Sequence, residues 1–376
     1  MVVGILGGGQ LARMLVLAGT PLGQRFRCLD PSPDAVAGHV SELLVGAYDD
    51  PAALQRLAAG AEVVTFEFEN VPAATTEWLL QHTAVRPHPR ALATGQDRRL
   101  EKELFTRLGM SVPTYRLAGT RDELRQAVAE VGAPCIVKTR RLGYDGRGQV
   151  RLRPGPDLSA AIDAAHAELT AGNPGGLIVE RFVPFTRELS VLAARSLRGE
   201  IAVWPLVENV HQDGILAQSR APAPDLDPRL QREATQFATA VLETLDYVGV
   251  LAVELFDVGG RLLANEMAPR VHNSGHWTIE GSACSQFEMH VRAVLGLPLG
   301  STAMAGGGVA TMVNCIGAMP ERAALLALPG VHVHSYGKAR RRGRKVGHAT
   351  VVGGERGAVD AVAAQVAALP PAAGDW

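Results

Sequence analysis

Apolar and polar positions alternate in blocks along the first hundred residues. Short apolar runs at 2–6, 26–30 and 62–66 have the length of buried strands. Between the first two, residues 10–18 place Leu11, Met14, Leu15 and Ala18 on one face at helical spacing. Between the second and third, "DDPAALQRLAAG" reads as a helix, with Asp50 able to cap it and Pro51 suited to its first position. Strands separated by helices predict a parallel, doubly wound sheet.

Beyond residue 95 the pattern changes. "DRRLEKELFTRLG" predicts a helix, and "APCIVKTRRLGYDGRGQVRLR" predicts two strands around a glycine-rich loop. "GLIVERFVPF" is a further strand ending near Pro184. "RELSVLAARSLRGEIAVWPLVEN" and "GVLAVELFDVGGRLLANEMAPR" read as antiparallel hairpins. The expected divisions are 1–95, 96–185, 186–296 and 297–376, the last closing in a Pro/Ala-rich tail. Fold class is therefore α/β followed by α+β.

Composition narrows the function classes. At 376 residues with 47% hydrophobic and 20% charged positions, the chain supports several packed cores rather than disorder. Its 37 basic and 38 acidic residues nearly cancel, so no global field selects nucleic acid or membrane, and any basic site must be local. Four dispersed cysteines without a C-x-x-C suit reduced, buried thiols. The start "MVVGILGGG" reads as a strand and not as a signal peptide, and no apolar run has the ~18 residues of a membrane span. A cytoplasmic protein is expected.

Six clusters carry candidate chemistry. The opening "GILGGGQLA", with Asp30 at the end of the next strand, has the form of a dinucleotide-binding turn. Glu67 and Glu69 follow a strand's C-terminal end, where doubly wound sheets bind ligands. The loop from Lys138 to Gln149 carries Gly143, Gly146 and Gly148, with Lys138 and Arg147 to supply positive charge. Its backbone N–H groups could approach phosphate, although a plain hairpin loop would look similar, and it is not a Walker A loop.

Gly259-Gly260 marks a turn between strands bearing Glu254 and Glu266. A three-residue loop makes these acids cross-strand partners ~5 Å apart, whereas a two-residue loop pairs Glu254 with Asn265. Two such carboxylates need a cation or proton between them, and oxygen ligands beside a phosphate loop point to Mg²⁺. In "NEMAPRVHNSGH", Arg270, His272, Asn273 and His276 leave an irregular loop after Pro269. A zinc pair of His272 and His276 is disfavoured because Asn-Ser-Gly interrupts a helix. Six basic residues between Lys338 and Lys345 suit one small phosphate ester, with Arg340, Arg341 and Arg342 a solvated face.

In order, "GGGQLARM", "TFEFENVP", "KTRRLGYDGRGQ", "NVHQDGIL", "NEMAPRVHNSGHWTIE" and "GKARRRGRKVGH" cover nearly the whole chain. Together they resemble the ATP-grasp superfamily, and within it the N5-carboxyaminoimidazole ribonucleotide synthetases, which act in purine biosynthesis. The resemblance implies a pre-ATP-grasp domain over 1–95, a lid domain over 96–185, a metal-bearing lobe over 186–296 and a small phosphate-anchoring domain over 297–376.

It implies ATP contacts at Arg98, Lys138, Gly143, Tyr144, Asp145, Gly146, Arg147, Gly148, Glu180, Arg181, Phe182, Val183, Glu188, His211, Asn265 and Glu266. The metal, Mg²⁺ or Mn²⁺, falls to Glu254 and Glu266. For 5-aminoimidazole ribonucleotide and bicarbonate, the matching positions are Gln10, Leu11, Glu67, Tyr144, Asp145, Arg147, Arg270, His272, Asn273, Lys338, Arg344 and Lys345. Catalytic roles fall to Tyr144, Asp145 and Arg270, and a cytoplasmic homodimer without nucleic-acid or membrane partners is expected. Leu142 stands where some members carry glycine.

Two other readings use less of the chain. An NAD oxidoreductase explains the opening turn but leaves Glu254 and Glu266 without a role. A formate-dependent phosphoribosylglycinamide formyltransferase shares the turn and the basic anchors, but "GYDGRGQ" and "RVHNSGH" favour the carboxylating family.

Overall fold

The computed structural model describes residues 2–143, 148–171 and 175–374. Its first sheet contains β1 (Val2–Leu6), β2 (Arg25–Asp30), β3 (Glu42–Val45), β4 (Ala61–Phe66) and β5 (Ala84–Val85), all parallel in the order 3-2-1-4-5. The three expected strands form its centre. The edge strands β3 and β5 are four and two residues long, too short for a readable period. Leu6 pairs with both Leu29 and Phe66, so the ends of β1, β2 and β4 are level. The opening turn, Asp30 and Glu67 thereby meet at one edge. Asp50 caps helix Pro51–Ala58 by accepting from Ala52 N at 2.9 Å, as the sequence predicts.

A second sheet of β6 (Tyr115–Ala118), β7 (Cys135–Thr139), β8 (Gln149–Leu152) and β9 (Leu177–Arg181) is antiparallel in the order 6-9-7-8. Cys135, Val137, Leu177 and Val179 face helices Arg121–Val131 and Leu158–Thr170, where Leu124, Val128 and Leu169 complete a core. The period of two turns Lys138 and Glu180 to the opposite face. A helical cover on one side thus leaves charged groups on the other.

The largest sheet has nine strands: β10 (Arg187–Arg195), β11 (Ile201–Val203), β12 (Val207–Gln212), β13 (Ile215–Ala221), β14 (Gly249–Asp257), β15 (Leu262–Ala268), β16 (Val309–Ile316), β17 (Val331–Ser335) and β18 (Lys345–Gly353). Eight run antiparallel in the order 15-14-10-12-13-16-18-17, with β11 beside β10. Pairing of β13 with β16 carries the sheet unbroken across residue 296. Helix Pro228–Thr244 packs Leu230, Ala234 and Val241 against β10 and β14, and helix Arg356–Ala368 packs against β16 and β18.

One register differs in its cause from the expectation. Val258 and Arg261 exchange backbone hydrogen bonds of 2.9 and 3.3 Å, so the β14–β15 turn contains two residues, not three. Gly259 and Gly260 have φ of +59° and +79°, as a tight hairpin with two left-handed residues requires. This turn pairs Asp257 with Leu262 and Leu255 with Ala264, and would set Glu254 opposite Asn265. A bulge between Glu254 and Leu255 in the register intervenes, and Glu254 pairs with Glu266 after all. Among the described residues, no helix is long and apolar enough to cross a membrane.

Candidate functional site

The opening turn is already filled by the protein's own carboxylates. Gly8 N donates to Asp30 Oδ2 at 2.8 Å, while Gly9 N and Ala12 N donate to the two oxygens of Glu67, the latter at 2.9 Å. A side chain at Gly7 or Gly9 would collide with Glu67, which explains the glycines. The donors a pyrophosphate would need are therefore taken, and two negative charges stand in its place. Burial pushes the Glu67 carboxyl up, opposed by the two N–H donors and by Lys338. Lys338 Nζ also donates to Gln10 Oε1, joining positions 328 residues apart. Leu11 is buried beneath.

The β14–β15 hairpin supplies the second centre. Arg98 Nη1 lies 2.8 Å from Glu266 Oε2, and His272 Nε2 lies 3.5 Å from Glu254 Oε1. Burial and then the charge of Glu266 push Glu254 up to about 7. Burial works the same way on Glu266, but Arg98 and Lys138 outweigh it and hold that carboxyl lowered. Asn265, the extra residue of the bulge beside Glu266, has its Oδ1 buried without a hydrogen-bond partner. Two carboxylates and an orphaned amide oxygen form an oxygen-donor set that fits Mg²⁺ or Mn²⁺. Among the described residues, no three His, Cys, Asp or Glu converge as a complete cage. A bound ion would thus complete its shell with phosphate oxygens and water.

Beside this hairpin runs the cleft between the second and third sheets. Lys138 Nζ pairs with Glu180 Oε2 at 2.8 Å, and Lys102 Nζ lies 3.6 Å from Glu180 Oε1. Burial opposes the charge on Glu180, but the two lysines bring its pKa down to about 2. Its side chain is thus committed to lysines. Arg181 is turned to the back of the small sheet, donating to Val131 O at 2.8 Å, and Val183 O accepts from Phe185 N.

Phe182 lines the cleft, with the Arg151 guanidinium 3.8 Å from its ring centre. Across the cleft, His211 Nδ1 and Glu188 Oε2 are 2.6 Å apart. Burial disfavours a charged His211, yet its bond to Glu188 prevails and raises its pKa. Gly143 and Gly148 flank the glycine loop. Gly148 adopts φ +70°, and its carbonyl accepts from Thr139 N at 2.8 Å. Tyr144, Asp145, Gly146 and Arg147 lie outside the described residues.

The loop after β15 is braced residue by residue. Arg270 Nη2 meets Glu69 Oε1 at 2.8 Å, and Asn273 exchanges amide bonds with Asn314 at 3.1 and 2.7 Å. Gln286 accepts from His272 N and donates to His272 O, then reaches His276 Nδ1 at 3.1 Å. Residues Asn273–Gly275 form a 3₁₀ turn, and His272 Nδ1 faces Ser274 Oγ at 2.9 Å, so the two histidines serve separate partners. Burial, with Arg270 and Lys345 nearby, holds His272 well below the usual range and therefore neutral.

Of the basic cluster, Lys338 reaches the opening turn, whereas Lys345 bears electrostatically on Glu254, His211 and His272. Arg344 O accepts from Gly317 N, and its guanidinium reaches Ala339 O at 3.5 Å. Arg340 donates to Ala373 O at 3.1 Å.

Several residues escaped the sequence reading. Asp97 gathers Arg140 and Arg141 at 2.9 and 3.3 Å. Glu101 and Lys102 are fully buried and bond to β15. Their only signal was spacing: with Arg98 they occupy positions i, i+3 and i+4 of one helix face.

Three family models match. A ribonucleotide synthetase preATP-grasp domain covers residues 1–96, an ATP-grasp domain 103–287, and a phosphoribosylaminoimidazole carboxylase C-terminal domain 310–362. The chain is 49% identical over 369 residues to a Pseudomonas aeruginosa protein named N5-carboxyaminoimidazole ribonucleotide synthase, covering 98% of this chain and 99% of that one. It is similar to the crystal structure of N5-carboxyaminoimidazole ribonucleotide synthetase from Thermus thermophilus, at TM-score 0.90 and 50% identity, with 98% of each chain covered. An Aspergillus clavatus N5-carboxyaminoimidazole synthase, solved with ADP and 5-aminoimidazole ribonucleotide, superposes at TM-score 0.89 with 30% identity over 97% of both chains.

Proposed function

The chain belongs to the family of N5-carboxyaminoimidazole ribonucleotide synthases, ATP-grasp enzymes, and from that premise we propose how its residues divide the work. The reaction joins bicarbonate to the amine of 5-aminoimidazole ribonucleotide, with ATP converted to ADP and phosphate, in purine biosynthesis. The observation that carries the assignment of roles is the Glu254–Glu266 pair facing Arg98 and Lys138 beside a nucleotide-sized cleft.

In this reading adenine stacks near Phe182, Glu188 and His211 meet the ribose, and Lys138 meets the phosphates. Glu254, Glu266 and Asn265 hold Mg²⁺ or Mn²⁺, which when bound neutralises phosphate charge and polarises the phosphoryl group. A bicarbonate oxygen attacks the γ-phosphorus, the bond to the β-phosphate oxygen breaks, and carboxyphosphate and ADP result. Arg270, aimed by Glu69, stands over the same region with neutral His272 and Asn273. Carboxyphosphate then parts into CO₂ and phosphate, and the aminoimidazole nitrogen takes the CO₂ while losing a proton.

Gln10 and Leu11 border the ribonucleotide, and Lys338, Arg344 and Lys345 offer positive charge to its phosphate. Glu67 acts there through the helix terminus it caps, since both its oxygens already accept N–H groups. Tyr144, Asp145 and Arg147 belong to this step by family resemblance. Enclosure matters because water would hydrolyse carboxyphosphate. A cytoplasmic homodimer completes the reading.

The test is ADP and phosphate release, which should require both bicarbonate and 5-aminoimidazole ribonucleotide. Turnover stimulated by formate with glycinamide ribonucleotide instead would overturn the assignment.

A further inference from the structure

The turn at Gly259-Gly260 does not by itself set Glu254 opposite Glu266; the bulge at Asn265 does. What holds that bulge is not in the sheet. β15 is an edge strand, so its outer backbone groups need partners from elsewhere. They come from helix Arg98–Arg107 and the segment behind it. Lys102 Nζ donates to Asn265 O at 2.6 Å, Met267 N donates to Glu101 Oε1 at 2.6 Å, and Ala264 N donates to Ser111 O at 2.8 Å. The three bonds take β15 one residue before the extra residue, at it, and two residues after it.

Lys102 is the informative member. Its side chain is 0% exposed, and an ammonium in such a place is costly unless it is paired and hydrogen-bonded. A carbonyl could be satisfied more cheaply by a neutral donor. Glu180, 3.6 Å away, offsets part of that cost, and the bonded carbonyl belongs to the residue whose Oδ1 is buried and unpartnered. Fixing Asn265 by its carbonyl fixes the direction of its side chain and the phase of Glu266 beyond it. A slip of one residue would carry Glu266 to the other face of the strand.

We infer that Lys102, assisted by Glu101, is a positioning residue that sets the Asn265 bulge and thereby builds the divalent-cation site from Glu254, Glu266 and Asn265. This rests on the metal reading of that pair. Lys102 touches neither nucleotide nor cation in this role. The effect of losing it should therefore appear in cation affinity and spare the binding of metal-free nucleotide.

The experiment measures Mn²⁺ binding to the full-length protein in the presence of ADP by electron paramagnetic resonance, and ADP binding in EDTA by calorimetry. Lys102→Met keeps the length and loses the donor. Its Mn²⁺ affinity should fall roughly tenfold or more, as for other groups that orient ligands, while metal-free ADP affinity moves by less than about twofold. Lys102→Gln, which can still donate to the carbonyl, should retain more Mn²⁺ affinity than Lys102→Met, and it serves as the readout if the methionine variant does not fold. Glu266→Gln separates the two readings. If it loses Mn²⁺ while both Lys102 variants bind as wild type, the positioning role is wrong and the metal pair stands. If Glu266→Gln itself binds Mn²⁺ normally, the metal pair is wrong. An equal loss of metal-free ADP affinity in the Lys102 variants would also overturn the inference, because it would make Lys102 a nucleotide contact.

Discussion

Glu180 shows how far one side chain can serve two sites. It is 3% exposed, lies within ion-pair distance of both Lys102 and Lys138, and is held ionised down to about 2. Burial depresses Lys102, which stays charged chiefly because Glu180 is there. Breaking a buried ion pair from one side costs more than the pair contributes, since the remaining charge has no water to turn to. Glu180→Gln would leave two buried ammonium groups facing an amide. The expected result is a loss of about 3 kcal/mol, seen as a melting temperature lower by several degrees, with a raised KM for ATP because Lys138 is released from its place. Glu180→Gln with Lys102→Met removes one of those charges and should recover part of the melting temperature. No recovery in the double variant would mean that Glu180 acts by shape and not by charge.

At the scale of elements, the β14–β15 hairpin divides the legible from the hidden. The Gly-Gly signal located its turn, and the apolar flanks identified both strands. Gly259 has φ +59°, and nothing lies within 4 Å of where its Cβ would sit, so substitution there tests backbone conformation alone. Gly259→Ala should cost about 1 kcal/mol, and Gly259→Asn, which tolerates the left-handed region, should recover most of it. Thermal melting of the three proteins decides the point; an alanine variant as stable as wild type would show that the turn relaxes to another type. The bulge was illegible for a physical reason. It depends on Glu101 and Lys102, more than 160 positions earlier, and hydrophobic periodicity does not show which carbonyl a buried lysine will meet. The opening turn gave the same lesson. Its glycines, its helix and Asp30 could be read locally as a dinucleotide site, yet Glu67 arrives from another strand to fill it. By contrast, Lys138 and Glu180 were marked by the glycine loop and by an ordered series of motifs, although their pairing with Lys102 was not.

Across the whole molecule the N-terminal sheet and the nine-stranded sheet must keep a fixed relation, because Glu69 follows a strand of one and Arg270 follows a strand of the other. His290 is a joint between them. It sits on helix Gln286–Val294, its Nδ1 accepts from Val250 N at 3.1 Å at the start of β14, and its Nε2 bonds Thr65 Oγ1 on β4 at 2.8 Å. Accepting at Nδ1 assigns the proton to Nε2, so the neutral ring satisfies both partners and a second proton would face the Val250 N–H. Burial accordingly brings His290 down to about 4, and His276 and His348, fully buried near each other, also lie well below the usual range. Between the ordinary histidine pKa near 6.5 and these lowered values, the unfolded chain binds more protons than the folded one. Stability is therefore fully present above about 6.5 and falls with decreasing pH, by up to about 1.4 kcal/mol per pH unit for each such histidine. For His290 the loss runs from about 6.5 to about 4. His290→Gln can still accept from Val250 N and donate to Thr65 but cannot take up a proton. Its melting temperature should be lower than wild type at pH 7, and it should fall less between pH 7 and pH 5. If the variant loses as much over that interval as wild type, the joint is held by packing alone and its hydrogen bonds carry no proton linkage.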